Sequence, residues 1–237
     1  MAWRIEILGF NKMSFTIFFR KQVQRLLRLG SHSGCHEMPP GNALFFHCVE
    51  KGNHLFQFCI PSWSQFYYPD DLAAFGHAGA ELVTIDTLRD TVLPPVDGLF
   101  FGGGFPECFI EPLSKNTTLH RDIREFISAG GPTYAECGGL MYLCRSIRWQ
   151  GMHGKMVGVI SADAIMEPSP VGRGYVKFQP TTSHPWPGVT KANRKQYCAH
   201  EFHYSRLEHL DPSLERVLQV TRGFGIDGRT DGIVHHN

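Results

Sequence analysis

The run Ala135-Glu136-Cys137-Gly138-Gly139 brings together the residue types that acyl transfer needs. Thr133-Tyr134-Ala135 has strand character, and Leu140, Met141, Leu143 and Cys144 continue as a helix, so the cysteine falls on the turn between them. A nucleophile on such a turn is presented at the carboxyl edge of a sheet, where open α/β folds place their sites. The helix N-terminus beside the sulfur predicts a preference for thiolate over thiol. Gly138 and Gly139 keep bulk away from Cys137, and the backbone N–H of Gly138 is expected to face a developing oxyanion. A second donor is expected from Gly102-Gly103-Gly104, with Gly103 and Gly104 nearest the site, provided that the strand feeding this loop pairs with the strand feeding Cys137. Taken alone, the local pattern also fits an ordinary buried thiol followed by turn glycines.

The elements that must hold these residues alternate between short apolar runs and amphipathic segments, the pattern of parallel strands joined by crossover helices. Leu55 to Ile60 reads as a strand, Pro69 to Ala78 as a helix and Glu81 to Ile85 as a second strand. Gly98 to Phe101 is a short buried strand, and Leu119 to Ala129 is a helix with Ile123, Phe126 and Ile127 on one face, stopped by Gly130-Gly131-Pro132. From Gly151 onward there are several strand-like pieces with Pro- and Gly-rich turns. The expected fold is a doubly wound α/β architecture, a mostly parallel sheet with helices on both faces. Residues 1–54 differ: they are basic at the start and rich in turn residues, so a poorly ordered segment is expected there, and the α/β domain over 55–237.

The bulk properties narrow the function classes. A net charge of +1 gives no overall field toward nucleic acid or a membrane surface, which favours a small molecule or a protein as partner. No apolar run approaches the roughly 20 residues of a membrane span. The basic stretch before residue 30 has the sign of a targeting presequence, but its low serine content argues against one. Seven cysteines, an odd number at irregular spacing with no C-x-x-C pair, read as reduced thiols of a cytoplasmic protein with no metal site. His200 and His203 stand at odd separation in a predicted strand and face opposite sides of it. Their His-Glu-x-His spacing is not that of a helical zinc site. His235 and His236 lie at the end of the sequence, where fraying is expected.

Four segments carry a family resemblance: Phe66-Tyr-Tyr-Pro-Asp-Asp-Leu72, Val96-Asp-Gly-Leu-Phe-Phe-Gly-Gly-Gly-Phe-Pro-Glu107, Tyr134-Ala-Glu-Cys-Gly-Gly-Leu-Met-Tyr-Leu143 and His200-Glu-Phe-His-Tyr-Ser205. Over about residues 58–237 the sequence resembles the C-terminal glutaminase domain of cobyrinic acid or hydrogenobyrinic acid a,c-diamide synthases, class I-type amidotransferases of cobalamin biosynthesis. The resemblance implies that Cys137 attacks the carboxamide of glutamine, with Gly103, Gly104 and Gly138 around the oxyanion. It makes His200 and His203 candidates for the cleft wall or the contact with the synthetase partner; Glu107, another candidate for the site wall or a substrate contact, is expected to be structural, accepting backbone hydrogen bonds, or to bind the glutamine amino group. It also implies a synthetase partner that amidates the a and c carboxylates of the corrin with ATP and Mg2+, so no cofactor is expected on this chain.

Two departures from the family shape the expectation. Residues 1–54 carry no P-loop, and Cys59-Ile-Pro-Ser-Trp-Ser-Gln65 intervenes before the aromatic segment, which predicts a distorted opening strand. The family's catalytic histidine strand follows the equivalent of Asp231-Gly-Ile-Val-His-His-Asn237, where this sequence stops. Without a base for the thiol proton, weak or absent glutaminase activity is expected. The alternative is a non-catalytic scaffold that docks a synthetase partner.

Overall fold

The computed structural model describes residues 16–19, 56–61, 67, 69–77, 80–185 and 196–235. Of residues 1–54 it describes Thr16–Phe19 as strand β1; the rest of that segment and the boundary near residue 54 lie outside the described residues. A first α/β half comprises β2 (Phe56–Pro61), α1 (Pro69–His77), β3 (Ala80–Ile85), β4 (Gly98–Phe101), α2 (Ile110–Lys115), α3 (Thr117–Ser128), β5 (Thr133–Glu136) and α4 (Gly138–Leu143). Strands then dominate: β6 (Cys144–Trp149), β7 (Met152–Lys155), β8 (Ile160–Met166), β9 (Gly172–Pro180), β10 (Tyr197–His203), β11 (Ser205–Glu208), β12 (Glu215–Arg222) and β13 (Thr230–His235).

The α/β class is as expected, and β4 explains why helices cover both sheet faces. All four of its residues are buried, and in a strand successive side chains point to opposite faces. Leu99 and Phe101 enter the main core with Ile123 and Ile127 of α3 and Leu140 and Leu143 of α4. Phe100 faces the other way, onto Phe75 of α1, edge to face at 5.0 Å between ring centroids, and it stacks on Tyr134 of β5 at 5.4 Å. A strand apolar on both sides requires a covering layer on each.

The large sheet has nine strands in the order β10-β9-β12-β13-β1-β5-β4-β2-β3. Its parallel character is concentrated in β5-β4-β2-β3, where helices lie in the connections from β2 to β3 and from β4 to β5 and a loop joins β3 to β4. From β10 to β12 and on to β13 the pairing is antiparallel. The opening strand is not distorted: β2 keeps continuous parallel register with β3 from Phe56 opposite Ala80 to Pro61 opposite Ile85. A second sheet, in the order β11-β8-β6-β7, takes up what the sequence shows only as strand-like pieces. Its strand β6 starts directly from α4, so Cys144 ends the helix instead of continuing it. No helix among the described residues is long and apolar enough to cross a membrane.

Helix α3 shows how local chemistry sets an element. The side chain of Asn116 accepts from the backbone N–H of Leu119 at 3.4 Å and donates to the carbonyls of Thr87 at 2.8 Å and Asp90 at 2.7 Å, so one residue caps the helix and ties it to the preceding loop. Leu119, Ile123 and Ile127, four residues apart, are all buried, the one-face stripe of a surface helix. Replacing Ile123 with alanine is expected to cost about 2–5 kcal/mol in urea unfolding. Arg121→Ala, at a side chain 60% exposed, should stay within about 0.5 kcal/mol; equal losses would place the core elsewhere.

Candidate active site

Strands β4 and β5 pair in parallel, Phe101 opposite Ala135, so both chains leave the sheet side by side at its carboxyl edge. One continues as Gly102-Gly103-Gly104, all buried, and the other turns at Cys137. The turn is strained: Cys137 has φ 49° and ψ −113°, a left-handed conformation that costs a non-glycine residue about 1–3 kcal/mol. Close contacts hold it there. A methyl group on Gly138 would lie 2.4 Å from the carbonyl oxygen of Gly104, and one on Gly139 would lie 2.5 Å from that of Phe101. Only glycine permits this approach.

The approach places two donors on the sulfur. The backbone N–H groups of Gly104 and Gly138 both donate to Cys137 Sγ, so the pairing condition set by the sequence is met. Gly103 lies between Gly102 and Gly104 in the same buried loop. A residue whose role the sequence left unread supports that loop: the hydroxyl of Tyr67 donates to the carbonyl of Phe100 at 3.3 Å and accepts from the N–H of Gly102 at 3.5 Å. Its signal was present, since Tyr67 belongs to the first family-like segment.

The electrostatics differ from expectation. Burial, then the carboxylates of Glu136 and Glu107, push the Cys137 thiol up to about 12 against the opposing backbone hydrogen bonds. The predicted thiolate preference therefore fails: α4 is six residues long, and its dipole does not offset desolvation and two nearby negative charges. Glu136 is buried, with its Oε2 accepting from the Tyr134 hydroxyl at 3.0 Å. Glu107 is 7% exposed, and burial raises its carboxyl above the usual range. Its Oε2 has no hydrogen-bond partner among the described residues.

The histidines are not gathered here. Four strands stand between β10 and β5 in the sheet order, roughly 24 Å along the sheet at the usual spacing, so no pairing brings His200 or His203 beside Cys137. The two do face opposite ways, His203 buried and His200 half-buried. His203 instead packs in the interior, its Nδ1 2.9 Å from the carbonyl oxygen of Ser205 and its Nε2 3.8 Å from Glu201. His235 is held in a strand, not frayed, opposite Phe19 of β1. Because β1 runs antiparallel to β5 with Phe18 opposite Tyr134, His235 is level with the start of β5 and away from the turn. His236 lies outside the described residues. No group of three or more His, Cys, Asp or Glu residues among the described ones is placed to hold a metal. Cys108, Cys137, Cys144 and Cys198 are free thiols.

A cysteine on a strained strand-to-helix turn, with two backbone N–H groups on its sulfur at the carboxyl edge of an α/β sheet, has the geometry that nucleophilic acyl transfer requires. The chain belongs to the CobB/CobQ-like glutamine amidotransferase domain family, whose pattern matches residues 58–237. It is 45% identical over 172 residues to the cobyrinate a,c-diamide synthase of Magnetococcus marinus, covering 73% of this chain and 36% of that protein. The same coverage, at 41% identity, relates it to the cobyrinate a,c-diamide synthase of Archaeoglobus fulgidus. It thus spans about a third of the length of these relatives. Solved structures are more distant, with PurLQS from Thermotoga maritima at a TM-score of 0.47 and 14% identity over 76% of this chain and 82% of that one, so the family rests on the sequence match.

With the thiol near 12, the rate of Cys137 alkylation by iodoacetamide should rise about tenfold per pH unit from 7 to 10 without levelling. Peptide mapping by mass spectrometry reads this directly. A plateau above about pH 9, the behaviour of an unperturbed thiol, would remove the carboxylate and burial effects assigned here.

Proposed function

We propose that this chain is the glutamine-hydrolysing part of a glutamine-dependent amidation, with Cys137 as nucleophile. The observation that carries this is the convergence of the Gly104 and Gly138 N–H groups on Cys137 Sγ. Sγ attacks the carboxamide carbon of glutamine, the carbonyl oxygen becomes an oxyanion, and these two N–H groups hold it. The thiol proton passes to a base and from it to the departing nitrogen, which leaves as ammonia. Water then attacks the thioester and releases glutamate.

The names of the relatives, cobyrinate a,c-diamide synthases, support an ammonia acceptor of that kind: a corrin whose a and c carboxylates are amidated by an ATP- and Mg2+-dependent synthetase partner. The four free thiols fit a reducing, cytoplasmic setting. The high thiol pKa favours a second reading, in which the domain docks the synthetase without turning over glutamine.

Glutamate release by the purified chain, alone and with the synthetase part of a relative, separates the two. Release that Cys137→Ala abolishes and that the synthetase raises supports the first reading; no release in either case, with the two chains bound, supports the second. Gly138→Ala, which drives a methyl group into Gly104, should lower any release by about 10²–10³, the usual effect of losing one oxyanion donor. Unchanged release would mean that these N–H groups are not the oxyanion donors.

A further inference from the structure

We propose that the slot between β5 and β13 is a binding site for one extended polypeptide strand, filled here by Thr16–Phe19, and that its occupant positions the turn bearing Cys137. The family pattern matches residues 58–237, so β1 is drawn into the sheet from outside the matched region. Strand β5 pairs with β4 and β1, and β13 pairs with β12 and β1. Among the described residues β5 and β13 share no register with each other. They stand two strand spacings apart, roughly 10 Å, which leaves the width of a single strand. Thr133, Ala135 and Glu136 on one side and Asp231, Gly232, Ile233 and Val234 on the other are buried. Backbone N–H and C=O groups along an empty slot there would lose their hydrogen bonds with no water to replace them.

The slot dictates what fits it. Its occupant runs parallel to β13, with Ile17 opposite Ile233 and Phe19 opposite His235, and antiparallel to β5, with Thr16 opposite Glu136 and Phe18 opposite Tyr134. Thr-Ile-Phe-Phe supplies the β-branched and aromatic residue types that strands favour. Register links the slot to the site. Strand β4 pairs along β5 as far as Ala135, opposite Phe101. Glu136, the last residue before the nucleophile, is in register with Thr16 alone among the described residues. The strand in the slot therefore holds the backbone from which the chain turns at Cys137, at the one level that β4 leaves unpaired. Strand pairing does not depend on glutamine turnover, so it stands or falls apart from the glutaminase reading.

Hydrogen exchange of the intact wild-type chain, read by mass spectrometry, tests the occupancy. Amides of residues 16–19 should exchange at least a hundredfold more slowly than those of a free peptide of the same sequence; exchange at the free-peptide rate would overturn the proposal. Ile17→Pro in the full chain removes an N–H from a strand paired on both sides and should empty the slot. Iodoacetamide labelling of Cys137 at pH 8 is slow in the wild type, because burial and the neighbouring carboxylates push its thiol up to about 12. In Ile17→Pro this labelling is expected to rise at least tenfold with the circular dichroism of the sheet retained, while Ile17→Val keeps the wild-type rate. A synthetic peptide of residues 13–22, added in excess, should return the Ile17→Pro rate toward that of the wild type, and the same peptide with proline at position 17 should not. Equal labelling of wild type and Ile17→Pro would refute the positioning role, and failure of the peptide to slow the labelling would refute a strand-binding site. Should Ile17→Pro fail to fold, Ile17→Gly, which weakens a strand but keeps its N–H, takes its place in both measurements, and the wild-type exchange is unaffected.

Discussion

The site depends on one contact between backbones, the seating of Gly138 and Gly139 on the carbonyls of Gly104 and Phe101. Side chains at either position would hold α4 away from β4, and the two N–H groups on the sulfur would no longer share a focus. The strain at Cys137, φ 49°, persists because this seating and the buried helix behind it leave no relaxed alternative. Packing on both sides of β4 sustains the contact: Phe101 belongs to the main core, and Phe100 is clamped between Phe75 and Tyr134. Tyr67 then fixes the loop where it leaves the strand, bridging Phe100 and Gly102. The geometry of the turn is a consequence of how closely two main chains can approach.

The antiparallel part of the molecule uses polar residues for a different end. Glu201, buried on β10, accepts from the N–H groups of Phe224 at 2.8 Å and Gly225 at 2.9 Å, tying the turn between β12 and β13 to the sheet edge. Gly223 and Gly172 leave room for Glu201 and His203, since a methyl on Gly223 would lie 2.7 Å from Glu201 Oε1 and one on Gly172 would lie 2.2 Å from His203 Nε2. A buried carboxylate with two backbone donors is satisfied and orders its surroundings. The polar chemistry of the His200–Ser205 segment thus goes into holding the sheet.

What was legible in the sequence was whatever depends on local pattern. Gly98–Phe101 reads as a fully buried strand because its apolar run has no polar face, and the glycines around Cys137 announce a turn because nothing else tolerates it. The pairing of β4 with β5 followed from adjacency. The second sheet was not legible, because the short runs after Gly151 carry no signal of which strand each will join. The place of His200 and His203 escaped for the same reason: a strand shows its two faces in sequence but not its rank in a sheet. The thiol pKa was hidden for another reason, since it sums burial and charges from Glu136, one residue away, and Glu107, thirty residues away, against a helix end that the sequence does reveal.

Those opposing charges give the site a coherent electrostatic logic. A thiol held near 12 is almost wholly protonated near neutral pH, which slows its oxidation and alkylation. Positive charge brought next to either carboxylate would favour the thiolate. Linkage makes the effect reciprocal: whatever binding does to the thiol, deprotonation of the thiol does to binding. The Gly104 and Gly138 N–H groups act in the same direction, because they favour negative charge on the sulfur. Burial and the two carboxylates outweigh these N–H groups, so the balance at the turn lies with the protonated thiol.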